Sequence, residues 1–271
     1  MTPFLVDPLP VDQTMVKGIH VCSDPSVVPP DGVSKANKML WFLHGHPHSK
    51  RYSNPSLTSL AALVRYDGFT YRGQPGFLYP VGQEASYEAM TWDAFDRITE
   101  NLAALYALDL REELEDANKT QKQPTVALLG GGNSVEYFCT QLGLMKLGVR
   151  LLLLAESNPT NALHYLLDSC DVSVIITDEK NSKVEMQQVR KIRMVESLPT
   201  GSTVSSSEVD FVRFQDFGDV WERHTFIIHS SGSTGLPKPI IHTNRSMMLI
   251  ARMYRLFQDF EVKNWFLLFP L

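Results

Sequence analysis

Three short apolar runs, each closed by a turn, constrain this chain more than any other feature. They are "TVALLG" (125–130), "VRLLLLAE" (149–156) and "VSVIITD" (172–178). Near-continuous Val, Leu and Ile does not offer one dry face and one wet face, so these strands are buried on both sides. Between the first two, "NSVEYFCTQLGLMKLG" (133–148) sets Val135, Phe138, Leu142 and Met145 at helical spacing. Asn133 or Ser134 can cap that helix and Gly148 can end it. Pro159 opens a second helix through Leu163, Leu166, Leu167 and Cys170. Strand, helix, strand, helix, strand with such short connections predicts an α/β fold, a mostly parallel sheet covered by helices.

The flanks are less regular. Ten of the sixteen prolines fall in the first 80 residues, which disfavours helices and central strands there. A short helix within 54–68 is the exception, and the rest of 1–86 reads as an irregular region lying on the core. From Tyr87 the pattern sharpens: "YEAMTW" suits a strand, and Phe95, Ile98, Leu102 and Leu105 recur as in a helix capped by Thr91 or Asp93. "ELEDANKTQKQP" (113–124) reads as a polar link and "VRKIR" (189–193) as a helix edge. "HTFIIHS" and "PIIHT" suit strands, a helix covers about 245–257, and "NWFLLFPL" begins a further apolar strand. The division expected is 1–86 and 87–271. A chain ending in such a run reads as truncated at its C-terminus.

Composition narrows the function. Net charge is −5 and no basic run reaches five residues, so nothing recruits nucleic acid. No apolar run reaches 18 residues and the start lacks a signal-peptide pattern, so no membrane span is expected and the cytoplasm is the default address. Three widely spaced cysteines make no disulfide framework; Cys139 and Cys170 read as small buried hydrophobes. "HGHPH" (44–48) lacks the partners of a tetrahedral site, so no metal site is assigned. No G-x-S-x-G elbow exists, which rejects a hydrolase of that type.

The segment "HSSGSTGLPKPI" (229–240) is different. Ser230, Ser231, Ser233 and Thr234 supply hydroxyls, and Gly232 and Gly235 free the backbone to turn its N–H groups inward as an anion nest. Lys238 adds a cation on a flexible stem. The other reading is a polar turn between two strands. The spacing is not that of a Walker loop, because Leu236 and Pro237 separate Gly235 from Lys238. "GGGNS" (130–134) lacks the last glycine of a dinucleotide fingerprint; its helix N-terminus could hold an anion. His229 and His242 flank the loop and suit either a ligand contact or a strand-end position.

Ser230 through Lys238 match throughout the signature loop of adenylate-forming (AMP-binding) enzymes, so the chain resembles that superfamily. Its members are acyl-CoA synthetases, luciferases and the adenylation domains of nonribosomal peptide synthetases. The strand and helix units from Tyr87 onward are similar too, and the match looks like the front half of the large N-terminal subdomain. Pro239 and Asn244, where many relatives carry glycine and histidine, give it the look of fungal nonribosomal-peptide-synthetase-like enzymes.

The resemblance implies ATP-dependent activation of a carboxylic acid as an acyl-adenylate, assisted by Mg2+, then loading onto a carrier-domain phosphopantetheine thiol. It implies that Ser230, Ser231, Gly232, Ser233, Thr234, Gly235 and Lys238 hold phosphate, with Lys238 and Thr234 acting in catalysis. The family's adenine, ribose and magnesium motifs lie further along than Leu271, so the isolated chain is expected to be inactive. The alternatives are a non-catalytic nucleotide-binding or regulatory fragment and a piece of an acyl-CoA ligase.

Overall fold

The computed structural model describes residues 13–16, 19–22, 57–81, 86–131, 134–183, 189–200, 212–214, 219–230 and 235–256. β1 (Gln13–Val16) and β2 (Ile19–Cys22) form an antiparallel pair. Helix α1 (Leu60–Thr70) starts where the Ser59 hydroxyl accepts the Ala62 amide, 3.1 Å away. β3 (Pro75–Val81) pairs antiparallel with β4 (Ser86–Thr91). A boundary at 86/87 would fall inside this pair. Pro75 and Pro80 fit there because a two-stranded ribbon leaves one edge of each strand unpaired.

α2 (Trp92–Asp109) follows at once, capped by Thr91, whose hydroxyl accepts the Ala94 amide. Asp93 instead accepts the Gly73 amide at 2.8 Å and pins the preceding turn. Phe95, Ile98 and Leu102 are buried as expected, but Leu105 is 41% exposed. Tyr106, four residues after Leu102, takes the core position, and its hydroxyl accepts the Val195 amide. The expected polar link at 113–124 is largely a helix, α3 (Arg111–Thr120). Only Leu114 and Ala117 face inward, while Glu112, Glu113 and Lys119 match the helix dipole.

β5 (Thr125–Leu129), β6 (Arg150–Leu154) and β7 (Val172–Thr177) are the three apolar runs. α4 (Val135–Lys146) and α5 (Thr160–Ser169) connect them. β8 (Arg190–Arg193) corrects the helix edge read at 189–193: it is an edge strand, parallel to β7. Its alternation of charge around Ile192 suits a sheet edge that must not pair further. β9 (His224–His229) lies parallel to β6, and β10 (Pro239–Thr243) returns antiparallel along β9 before α6 (Asn244–Leu256). The order is β10-β9-β6-β5-β7-β8, mostly parallel with one antiparallel edge.

Alternation along the strands divides the core. Val126, Leu128, Leu151, Val174, Ile176 and Phe226 face α2 and α4. Ala127, Leu129, Leu152, Leu154, Ile175 and Ile227 face α5. α4 and α5 therefore cover opposite faces. The chain passes from β5 to β6 on one side and then crosses back to set β7 on the other side of β5, so the topological switch point lies between the carboxyl ends of β5 and β7. The read apolar strand at 264–271 lies outside the described residues.

Candidate functional site

The carboxyl ends of β5, β6, β7 and β9 share one rim, because the four strands are parallel. Four segments meet there: the Gly130–Gly131 turn, the β6–α5 turn, Asp178 after β7, and the glycine loop after β9.

The loop joins β9 to β10, so its frame is an antiparallel hairpin. His229 pairs with Pro239, and the Ser230 amide donates to the Lys238 carbonyl at 3.0 Å. That amide is spent on the hairpin and cannot serve in an inward-facing nest; only the hydroxyl of Ser230 remains for a ligand. Gly235 has φ of +102°, a region that side chains rarely enter, and nothing lies within 4 Å of where its Cβ would stand. The glycine is thus required by backbone conformation, not by crowding. Pro237 is buried and fixes the return, and Lys238 is exposed beside it. Ser231, Gly232, Ser233 and Thr234 lie outside the described residues. The described ends of the segment, Ser230 and Gly235 to Lys238, belong to a connection between two strands at the carboxyl rim of the sheet.

Asn244 does not belong to the loop. It is buried at the opposite end of the sheet, with its Nδ2 donating to the Val220 carbonyl and its amide to the Arg223 carbonyl. His242, between the two ends, is half-buried and lies 3.4 Å from the Ser246 hydroxyl.

Sequence reasoning missed a belt of hydrogen bonds along the rim. At its β9 end, His229 Nε2 stands 3.4 Å from the Ala155 amide and 3.0 Å from Asn158 Nδ2, both in the β6–α5 turn. Glu156 of the same turn accepts from Asn181 Nδ2 at 2.7 Å and from Lys180 at 2.8 Å. Asn181 also gives its amide and Nδ2 to Asp178, at 2.9 and 2.8 Å. Asp178 in turn accepts the Gly131 amide at 3.0 Å. Asp178 thus occupies the Gly131 amide in the turn before α4, and the Ser134 hydroxyl caps the helix itself by accepting the Tyr137 amide at 3.1 Å. No single residue in "AESN" or "TDEKN" signals this; the signal is the shared rim that the topology creates.

Ionisation at the rim follows from these partners. Burial of Asp178 would raise its pKa, but the Asn181 and Gly131 amides outweigh that and hold it below the usual carboxylate range. Hydrogen bonds from Lys180 and Asn181 lower that of Glu156. Burial lowers the pKa of His229, against a smaller raise from the Ser230 backbone. Among the described residues no three His, Cys, Asp or Glu groups converge to hold a metal. A cavity of about 50 Å³ at the other end of the sheet, beside Gln123, Gly148, Arg223 and His224, has room for little more than water.

The solved structures most relevant to this arrangement share its fold. A Mycobacterium tuberculosis fatty acyl CoA synthetase superposes with TM-score 0.50 at 19% identity, covering 70% of this chain and 35% of that one. A fatty acyl-adenylate ligase from L. pneumophila, in complex with acyl adenylate and pyrophosphate, gives TM-score 0.51 at 17% identity, covering 69% and 30%. In sequence, the chain is 28% identical over 134 residues to a carboxylic acid reductase of Neurospora crassa, covering 48% of this chain. It is 26% identical over 219 residues to the adenylate-forming reductase Nps10 of Heterobasidion annosum, covering 74% of this chain. The chain spans only 12% and 20% of the lengths of those two reductases. No described helix is long and apolar enough to cross a membrane. The AMP-binding enzyme family matches residues 76–270, most of the chain including the whole β9–β10 hairpin, and the chain belongs to that family.

Proposed function

We propose that this chain supplies the triphosphate-binding rim of an ATP-dependent, acid-activating site, and that turnover needs more polypeptide than these 271 residues. A carboxylate oxygen attacks the α-phosphorus of ATP, the bond to the bridging oxygen breaks, and acyl-adenylate and pyrophosphate form. A carrier-domain phosphopantetheine thiol then takes the acyl group and AMP leaves. The likeness of residues 229–244 to fungal nonribosomal-peptide-synthetase-like enzymes favours a carrier thiol over free coenzyme A as acceptor, although the relatives' names include a malonate–CoA ligase as well as two reductases.

One observation carries the reading: a family-matching hairpin loop with glycine at φ +102° and an exposed lysine on the carboxyl rim of a doubly wound sheet. On this reading Lys238 balances charge on the departing phosphates, together with Thr234, Ser231, Ser233, the Ser230 hydroxyl and the backbone of Gly232. Gly235 permits the turn. Such donors act most strongly when aimed where charge develops. Magnesium would accompany the ATP phosphates and neutralise their charge; among the described residues no three His, Cys, Asp or Glu groups converge to hold it without nucleotide.

The test is acid-dependent exchange of labelled pyrophosphate into ATP. A chain extended through the remainder of the family domain should exchange with at least one acid from an aryl, keto and amino acid panel, whereas residues 1–271 should not. In the extended chain, Lys238→Ala should lower kcat/KM about 10- to 100-fold, the worth of a charge-assisted hydrogen bond of ~1.5–3 kcal/mol. An unchanged rate in that variant would place the phosphates elsewhere.

A further inference from the structure

We propose that His229 is a positioning residue: as the neutral imidazole carrying its proton on Nδ1, it ties the root of the phosphate loop to the β6–α5 turn. The inference takes its functional meaning from the phosphate-loop reading, but its geometry is independent of any nucleotide. A backbone amide can only donate, so the Ala155 N–H facing Nε2 at 3.4 Å makes that nitrogen an acceptor. Asn158 Nδ2, 3.0 Å away, agrees with the assignment. Both ring nitrogens cannot accept in a neutral imidazole, so the proton sits on Nδ1, which is buried and makes no hydrogen bond of full geometry among the described residues, although the Ser230 backbone still favours the protonated ring. Leaving a buried N–H unpartnered has a cost. The arrangement is thus selected by what Nε2 accepts, not by what Nδ1 gives.

The position explains the use. His229 is the last residue of β9, and the next residue, Ser230, closes the hairpin on Lys238. Its side chain reaches across to the neighbouring strand's turn, which the rim belt joins to β7 and β5 through Glu156, Asn181 and Asp178. The root of the loop is therefore fixed relative to three other strand ends. Protonation of Nε2 would set a donor against two donors and release that fixing. The ionisable groups on the adjoining segments are Glu156, in the same β6–α5 turn and engaged by Lys180 and Asn181, and Lys238, next to the strand partner Pro239; none of them acts on the ring directly, whose surroundings are set by burial and the Ser230 backbone.

The experiment uses the 271-residue chain labelled with 15N-histidine, with His229→Gln assigning the resonance. The expected signature at pH 7.5 is a protonated Nδ1 and a bare Nε2; a protonated Nε2 overturns the proposal. Asn158→Asp replaces a donor with an anionic acceptor and should shift the His229 titration upward by more than one pH unit; no shift also counts against it. Amide exchange at Ser230 should quicken about tenfold in His229→Leu, the loss of roughly one buried hydrogen bond. It should recover to within about twofold in His229→Gln, which keeps an acceptor there. Equal exchange in wild type and Leu variants overturns the positioning role. None of these readouts contains nucleotide. A parallel ATP titration against Lys238→Ala reports separately on the phosphate-loop reading.

Discussion

Glu100 offers the sharpest test of how this fold is held together. It lies on α2 with its side chain 7% exposed, facing three cations. Lys146 of α4 approaches Oε2 at 3.3 Å and Arg65 of α1 approaches it at 3.1 Å, while Arg213 binds Oε1. One carboxylate thus joins two helices to its own and to the segment at 212–214. Glu100→Gln keeps the shape and removes the charge. Arg65 is 60% exposed and loses at most about 1 kcal/mol. Lys146 is 2% exposed, but it keeps Asp96, at 2.6 Å to Oδ1 and 2.9 Å to the backbone oxygen. Removing one partner of a buried pair costs about 3–5 kcal/mol, and the retained Asp96 argues for the lower end, about 3 kcal/mol. In a chain of this size that is a fall in Tm of roughly 6–12 °C. The pH dependence supplies the control. Burial alone would raise the Glu100 pKa, but Lys146, Arg213 and Arg65 bring it below the ordinary 4.5. Its contribution is therefore complete above 4.5 and is lost as pH falls through the folded-state value. Urea unfolding of wild type and Glu100→Gln should differ most at pH 7 and converge in acid. A difference below about 1 kcal/mol at pH 7 refutes the accounting, and so does a gap unchanged down to pH 3.

Two further outcomes test the core. A Cβ at Gly143 would stand 2.9 Å from Leu102 Cβ and 3.2 Å from the Ala103 nitrogen and the Thr99 oxygen, so Gly143→Ala should cost about 1–3 kcal/mol in urea unfolding. A neutral result would mean that α2 and α4 do not approach so closely. Cys139 is fully buried and its thiol pKa is pushed up to about 12 by burial, with Glu136 adding to the rise. It should resist a thiol reagent at pH 8 until denaturant is added, and rapid native labelling at that residue would show the α2–α4 interface open.

The parallel core was legible because burial on both faces writes itself into consecutive residues, as in "VALL", "LLLL" and "VIIT". α4 was legible as a helix but not as a helix buried almost all round, since periodicity marks one face and Tyr137, Cys139 and Leu144 lie on others. α3 was missed because two apolar residues among ten give little period, although Leu114 is fully buried. β8 was missed because an edge strand has one neighbour and a solvated margin, so "RKIR" lacks an apolar run. The glycine loop was legible as a family signature through its spacing. Its hairpin frame was also predictable from "FIIH" and "PIIH", but the cost of that frame was not: the Ser230 amide is consumed in closing it. His229 shows the limit most plainly. Its partners, Ala155 and Asn158, are more than seventy positions away and become neighbours only because β9 inserts beside β6.

The same insertion decides which part of the rim can receive an anion. The switch point between β5 and β7 is where a doubly wound sheet ordinarily takes its ligand. Here its two lips are joined by the chain's own groups. Asp178 takes the Gly131 amide, Asn181 spans to Glu156, and both carboxylates are held in the charged form by the hydrogen bonds they accept. A phosphate arriving at that crevice would meet two carboxylates, one of them paired with Lys180, and an amide already donated. One strand further along, beyond β6, the hairpin presents Gly235 and Lys238 with no carboxylate built into its described residues. Along the rim, the carboxylates therefore cluster at β5–β7, and the β9–β10 hairpin carries the exposed Lys238 with no carboxylate among its described residues. His229 stands at the boundary as a neutral ring that joins the two halves and adds charge to neither.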